Sequence, residues 1–158
     1  YRSLKEATGA EYCMHERAPS THVDRRLRDG DTLVAGDLVA RVLYTPGHAI
    51  DSVALLVDDM LFTADTLLIG GTGRTDLHEE ASSSDLYESL WQKILVLGDN
   101  FRIYPGHDYR GRTSGTIKDE KETNSRLQLS REEFMRELDA HHLPKPELFE
   151  DAIRINSE

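Results

Sequence analysis

Short apolar runs separated by turn residues dominate the first two thirds of the chain. Thr32–Ala35 and Leu38–Tyr44 flank the dipeptide Gly36-Asp37 and follow Asp29-Gly30-Asp31, a pattern that predicts a β-hairpin. Leu38, Ala40 and Val42 alternate with Val39, Arg41 and Leu43, the period of a sheet with a dry and a wet face. SVALLV (residues 52–57) and MLFTAD (60–65) surround Asp58-Asp59 and predict a second hairpin, its unbroken apolar runs reading as central strands covered on both faces. EYCMHE from Glu11 and FRIY from Phe101 read as further strands.

Helical spacing takes over elsewhere. Residues 1–7 read as the tail of a helix stopped by Gly9. Leu86, Leu90 and Ile94 with Tyr87, Trp91 and Leu95 form a broad apolar helical face, N-capped within Ser82-Ser83-Ser84 and ended at residues 98–100; Tyr87 and Trp91 read as core. GTIKDEKETNSRL (115–127) reads as a charged helix with a solvated face, and Ser130 with Glu133 forms a capping box ahead of FMRELDAHH. His141 and His142 fall at that helix's end, where the dipole favours a cation. Leu143-Pro144-Lys145-Pro146 then begins a terminal extended segment.

The alternation of strands and helices over 158 residues fits one α/β domain. A formal charge of −10 argues against a nucleic-acid partner, which needs Lys and Arg to neutralise phosphates, and Arg110 to Arg112 read as solvated surface charge. No run of about 18 apolar residues is present to span a membrane. Cys13 is the single cysteine, so neither an intrachain disulfide nor a Cys-based zinc framework is available. It reads as a packing residue in a reducing compartment, with the cytoplasm as the expectation. The first residue is Tyr and no leader pattern follows, which points to a processed chain or one whose beginning lies upstream.

The candidate chemistry sits where apolar runs end. VLYTPGH, MLFTAD and FRIYPGH each deliver a potential metal ligand at once: His48, Asp65 and His107. Strands that end together bring such side chains to one edge of a sheet. In each Pro-Gly-His, proline fixes one backbone angle and glycine frees the next, allowing a sharp turn at the strand's lip. On this reading His48 and Asp65 close neighbouring strands and meet at a common cation. The polar, glycine-rich segment 67–87 follows the Asp65 strand and is placed to border the site and hold a substrate. His15 and His22 have no partner at ligand spacing.

At TPGH, LFTADTLLIGGTGRTD and IYPGHDY the chain resembles the metallo-β-lactamase superfamily over nearly all of its length. Within it, Gly73-Arg74-Thr75-Asp76 and HDYRGRTSGTIKDEKETNSRL followed by LPKP are similar to the persulfide dioxygenases more than to glyoxalase II. The resemblance implies an αβ/βα sandwich with metal at one sheet edge, residues 1–158 forming the C-terminal two thirds of a single such domain. The superfamily's His-x-His-x-Asp-His signature is absent, so the domain is N-terminally incomplete by that standard. For the dioxygenases the resemblance implies one Fe(II) held by His48, Asp65 and a His of that signature, with His107 beside the site. It further implies oxidation of glutathione persulfide by O2 to sulfite and glutathione, Arg74 pairing with a glutathione carboxylate. Tyr109 is inferred to orient the metal ligands by hydrogen bonding. For a glyoxalase II-type hydrolase of glutathione thioesters the cofactor becomes one or two Zn(II), with Asp65 bridging and His107 on the second ion. A non-catalytic module and a homodimer are the remaining expectations.

Overall fold

A computed structural model describes residues 1–157 except Arg110 and His141, and of residues 152, 156 and 157 the backbone alone. The readings placed on Arg110 and His141 lie outside the described residues. A short helix α1 (Arg2–Thr8) ends at Gly9 in the left-handed conformation, as its sequence predicts. Strands β1 (Cys13–His15) and β2 (Arg25–Leu27) pair in parallel. The main sheet contains β3 (Thr32–Ala35), β4 (Leu38–Tyr44), β5 (Val53–Val57), β6 (Met60–Ala64), β9 (Arg102–Pro105) and β10 (Gly115–Thr116), in the order β10-β9-β6-β5-β4-β3. Between β6 and β9 lies the small hairpin β7 (Leu67–Leu68) and β8 (Gly71–Thr72).

The direction of the strands explains where function can sit. β4 and β6 are both antiparallel to β5, and β9 is parallel to β6, so β4, β6 and β9 end at the same edge. A parallel pair needs a long crossover. Here it carries α2 (Ser83–Glu88), capped by the Ser82 side chain on the Asp85 N–H at 3.1 Å, and a π-helical segment Ser89–Ile94. The sequence predicts an unbroken α-helix there, but the Leu95 N–H reaches back to the Leu90 carbonyl at 2.9 Å, an i→i+5 step. With that step Leu86, Leu90 and Ile94 are all fully buried against Leu43, Ala54, Leu61 and Ile103 of the sheet.

Three more helices complete the chain: α3 (Ile117–Thr123), α4 (Arg131–Asp139) and α5 (Phe149–Ser157). Ser130 and Glu133 form the capping box expected of α4, whose Phe134 and Leu138 join the core. Phe134 meets Tyr87 and Trp91 edge-on, and those two rings stack at 4.0 Å, so both aromatics pack, partly buried, against the core.

Three further expectations need correction. Phe62 is 42 % exposed although Leu61 and Thr63 are buried, so β6 alternates rather than being covered on both faces; the helices pack on the Leu61 side. The helix read over 115–127 stops at Thr123, where Asn124 turns extended and caps a 3-10 turn over Ser125–Gln128. The expected solvated face is present, with Lys118, Asp119, Lys121 and Glu122 exposed, and Ile117, Glu120 and Asn124 share the opposite, buried side. Finally, the segment after LPKP is helical, with Glu150 and Asp151 favouring its first turn.

Candidate metal centre

His48, Asp65 and His107 leave the common edge in consecutive loops. His48 follows β4, Asp65 follows β6 at once, and His107 follows β9. β4 and β6 are separated by β5 rather than adjacent, so convergence comes from shared direction. His48 Nε2 stands 3.5 Å from Asp65 Oδ2. Two ligands each about 2.0–2.2 Å from one ion lie roughly 3–3.6 Å apart, so this pair fits a common cation. His48 Nδ1 is 2.8 Å from the Arg74 carbonyl, which fixes the proton on Nδ1 and turns the Nε2 lone pair toward Asp65. His107 Nδ1 lies 2.7 Å from the other oxygen, Asp65 Oδ1. Among the described residues no group of three or more His, Cys, Asp or Glu is arranged to hold a metal, so these residues supply a partial donor set.

Glycine makes the geometry possible at three points. Gly47 adopts φ 134°, and a Cβ there would meet the Leu86 backbone at 2.4 Å, so the first Pro-Gly-His turn is pressed onto the start of α2. Ser89 Oγ donates to the Pro46 carbonyl and the Ser82 N–H to the Gly47 carbonyl, pinning the same turn. A Cβ on Gly106 would lie 2.9 Å from Asp65 Oδ1. A Cβ on Gly73 would lie 2.0 Å from the Asp65 carbonyl oxygen and 3.1 Å from His48. Ala64, just before Asp65, has φ 46°, and the ladder with β9 shifts register between Phe62 and Ala64. A non-glycine residue held at positive φ stores strain beside the carboxylate it aims.

The three residues line a cavity of about 310 Å3 with Arg74, Tyr109 and Leu143 among its walls. Thr72, Gly73 and Leu77 of the 67–87 segment line it too, as its position after Asp65 predicts. Arg74 forms a two-point pair with Asp76, Nε to Oδ1 at 2.5 Å and Nη2 to Oδ2 at 2.6 Å. Its Nη1 and Nη2 also donate to the carbonyls of Pro144 and Leu143 at 3.2 and 2.5 Å. The Arg74 guanidinium holds the Asp76 carboxyl well below the usual range, at about 2. Tyr109 is 83 % exposed, its ring parallel to that of His107 with centroids 6.3 Å apart.

His15 and His22 stand apart from this group. His15 is buried and stacks on Tyr44 at 3.8 Å, and His22 contacts Arg2. His142 approaches Asp76 at 4.0 Å. Burial pushes the Cys13 thiol up, which suits packing better than nucleophilic attack. Sequence reasoning missed the Arg74 carbonyl as the orienting group for His48, which no side-chain pattern reports. It also missed the close approach at Gly73, whose only signal is a glycine beside the Arg74-Thr75-Asp76 motif.

Comparison with known proteins places the chain among relatives of known description. The mitochondrial persulfide dioxygenase ETHE1 of Bos taurus is 39 % identical over 142 residues, covering 89 % of this chain and 56 % of that protein. The hydroxyacylglutathione hydrolase of Rhodopseudomonas palustris strain BisB18 is 42 % identical over 119 residues, 73 % of this chain and 44 % of that protein. The chain therefore spans about half the length of the curated relatives it matches. The crystal structure of ETHE1 from Myxococcus xanthus superposes with a TM-score of 0.94 at 39 % identity, over 99 % of this chain and 69 % of that one. Residues 4–107, from α1 through the second Pro-Gly-His, match the sequence profile of one family, and with that match the chain belongs to the metallo-β-lactamase superfamily.

Proposed function

We propose that the protein is an iron-dependent persulfide dioxygenase, with one Fe(II) per chain, that oxidises glutathione persulfide. The balanced reaction is GSSH + O2 + H2O → GSH + SO3(2−) + 2H+. The observation that carries the reading is the division of labour at Asp65, whose Oδ2 faces His48 while Oδ1 is taken up by His107. In this reading His107 donates to Asp65 Oδ1, and the carboxylate presents Oδ2 to a single cation beside His48. The likeness to ETHE1 of both the sequence and the fold supports the persulfide dioxygenase reading. Fe(II) held there supplies redox-active open positions at which a thiolate sulfur and O2 can meet.

The chain's own residues set the stage for that chemistry. The Arg74 carbonyl keeps His48 in the tautomer a ligand needs, and His107 restrains the Asp65 carboxylate. Leu68, Leu77, Leu143 and Pro146 give the cavity apolar walls that limit water around the reacting sulfur. Arg74 pairs with a glutathione carboxylate in this reading. It does so through the Nη hydrogens that otherwise meet the Leu143 and Pro144 carbonyls, while Asp76 keeps hold of Nε and of the other Nη2 hydrogen. Tyr109 orients the metal ligands by hydrogen bonding in this reading, from a position whose ring lies parallel to that of His107 with centroids 6.3 Å apart. Cys13 as the sole thiol accords with a reducing compartment such as the cytoplasm, and among the described residues no helix is long and apolar enough to cross a membrane. A homodimer is compatible with this reading.

The 42 % identity to a hydroxyacylglutathione hydrolase favours a second reading, hydrolysis of a glutathione thioester with one or two Zn(II) and His107 as a ligand. Oxygen uptake and sulfite release by the full-length gene product, loaded with iron or with zinc, separate the two. The dioxygenase reading expects turnover of glutathione persulfide with iron alone; full turnover with zinc alone sinks it.

A further inference from the structure

We propose that Glu120 and Asn124 of the α3 end are positioning residues for the metal centre, acting through the peptide groups of residues 70–72. The inference rests on the metal-dependent reading above and concerns how the His48–Asp65 pair is held. Glu120 and Asn124 are 1 % and 0 % exposed, so a carboxylate and an amide are withdrawn from water far along the sequence from either ligand. Burying a carboxylate is costly unless its oxygens are satisfied. Glu120 Oε2 accepts from the Gly70 N–H at 2.7 Å and from Asn124 Nδ2 at 2.8 Å. Asn124 Nδ2 also donates to the Gly71 carbonyl at 3.0 Å, and its Oδ1 accepts from the Arg126 N–H.

Two arginines extend the same clamp. Arg112 Nη2 donates to the Ile69 carbonyl at 2.7 Å, and Arg126 Nη1 to the Thr72 carbonyl at 3.2 Å and hydroxyl at 3.0 Å. Each residue from Ile69 to Thr72 thus has a main-chain group fixed by a side chain from residues 112–126. The regular ladder here is short, β7 and β8 pairing over two residues each, so the side-chain bonds add to it at Gly71 and Thr72 and stand alone at Ile69 and Gly70. The residues it delivers next are Gly73, packed against the Asp65 carbonyl and the His48 ring, and Arg74, whose carbonyl sets the His48 tautomer. A displacement of Gly70 or Gly71 is therefore passed toward His48 Nδ1 through the three or four peptide units that lead to the Arg74 carbonyl. Losing a group that orients a ligand in this way lowers metal affinity by about 10- to 100-fold.

The test uses the full-length gene product and Co(II) titration followed by visible absorption, with thermal melting in parallel. Glu120→Ala is expected to weaken Co(II) binding by about 10-fold or more. Glu120→Gln, which still offers an oxygen to the Gly70 N–H, is expected to lose less. Leu138→Ala serves as a control that destabilises the core without touching the clamp. Equal Co(II) affinity in wild type and Glu120→Ala, or an equal loss in Leu138→Ala measured where both are folded, overturns the proposal. Should Glu120→Ala not fold, the decision passes to Glu120→Gln and Asn124→Ala. At least one must lower affinity and shift the 15N resonance of His48 Nδ1, and normal values for both overturn the idea. Absence of persulfide oxidation by the wild type, with the affinity pattern intact, removes the dioxygenase reading and leaves this one standing.

Discussion

Gly73→Ala is the sharpest perturbation of the centre, because one methyl group is added where no space exists. The new Cβ would lie 2.0 Å from the Asp65 carbonyl oxygen, and real Cβ atoms essentially never come closer than 3.0 Å, so one side must yield by about 1.0 Å. Gly73 has no left-handed φ, so the demand for glycine here is proximity alone. If the Asp65 side moves, the carboxylate leaves His48; if the loop moves, the Arg74 carbonyl leaves His48 Nδ1. Overpacking of this kind costs about 1–3 kcal/mol, which for a domain near this size lowers Tm by about 2–12 °C. A misplacement of about 1 Å lowers turnover by about 100-fold, so activity should fall far more than stability. Thermal melting and metal titration on the same preparation check both halves. A Gly73→Ala protein that melts and binds metal like wild type would refute the packing argument at this centre.

Three further outcomes are expected. The Asp76 carboxyl is held at about 2 by Arg74, below its ordinary 3.8, so it adds about 2 kcal/mol of stability that is full above pH 4 and lost as pH falls through 2. Asp76→Asn should flatten the pH dependence of the urea midpoint in that window, and an unchanged slope would contradict the pairing. Ser130→Ala removes the α4 capping box, whose hydroxyl accepts from the Glu133 N–H, and should cost about 1 kcal/mol in urea unfolding without altering metal content. His107→Ala should retain one metal per chain by elemental analysis with weakened affinity; loss of one of two bound ions instead would favour the hydrolase arrangement.

The hairpins β3–β4 and β5–β6 were legible because Gly36-Asp37 and Asp58-Asp59 interrupt strongly apolar runs, and Asp58 does adopt positive φ. The meeting of His48 with Asp65 was legible because strand ends are where chemistry gathers. β2 was not, since Arg25 and Arg26 hide the single buried residue Leu27 and parallel pairing leaves no turn signal. α5 was masked by Pro144 and Pro146, although Phe149 and Ile153 stand four residues apart behind two first-turn acids. The clamp went unread because Glu120 and Asn124 sit in a run of charge, where burial is decided by partners distant in sequence. Their spacing from Ile117 put them on its side of the helix, and that was the available signal. The Arg74 guanidinium shows a further limit: its charge was legible, but its engagement by Asp76 and two main-chain carbonyls is a property of the tertiary fold.

The central claim is that His48 and Asp65 hold one iron between them. Anomalous diffraction at the iron edge, from crystals of the iron-loaded full-length gene product, addresses it most directly. One peak about 2.0–2.2 Å from both His48 Nε2 and Asp65 Oδ2 is the expected result. Two peaks about 3.5–4 Å apart with His107 on the second, or no peak between His48 and Asp65, would contradict it.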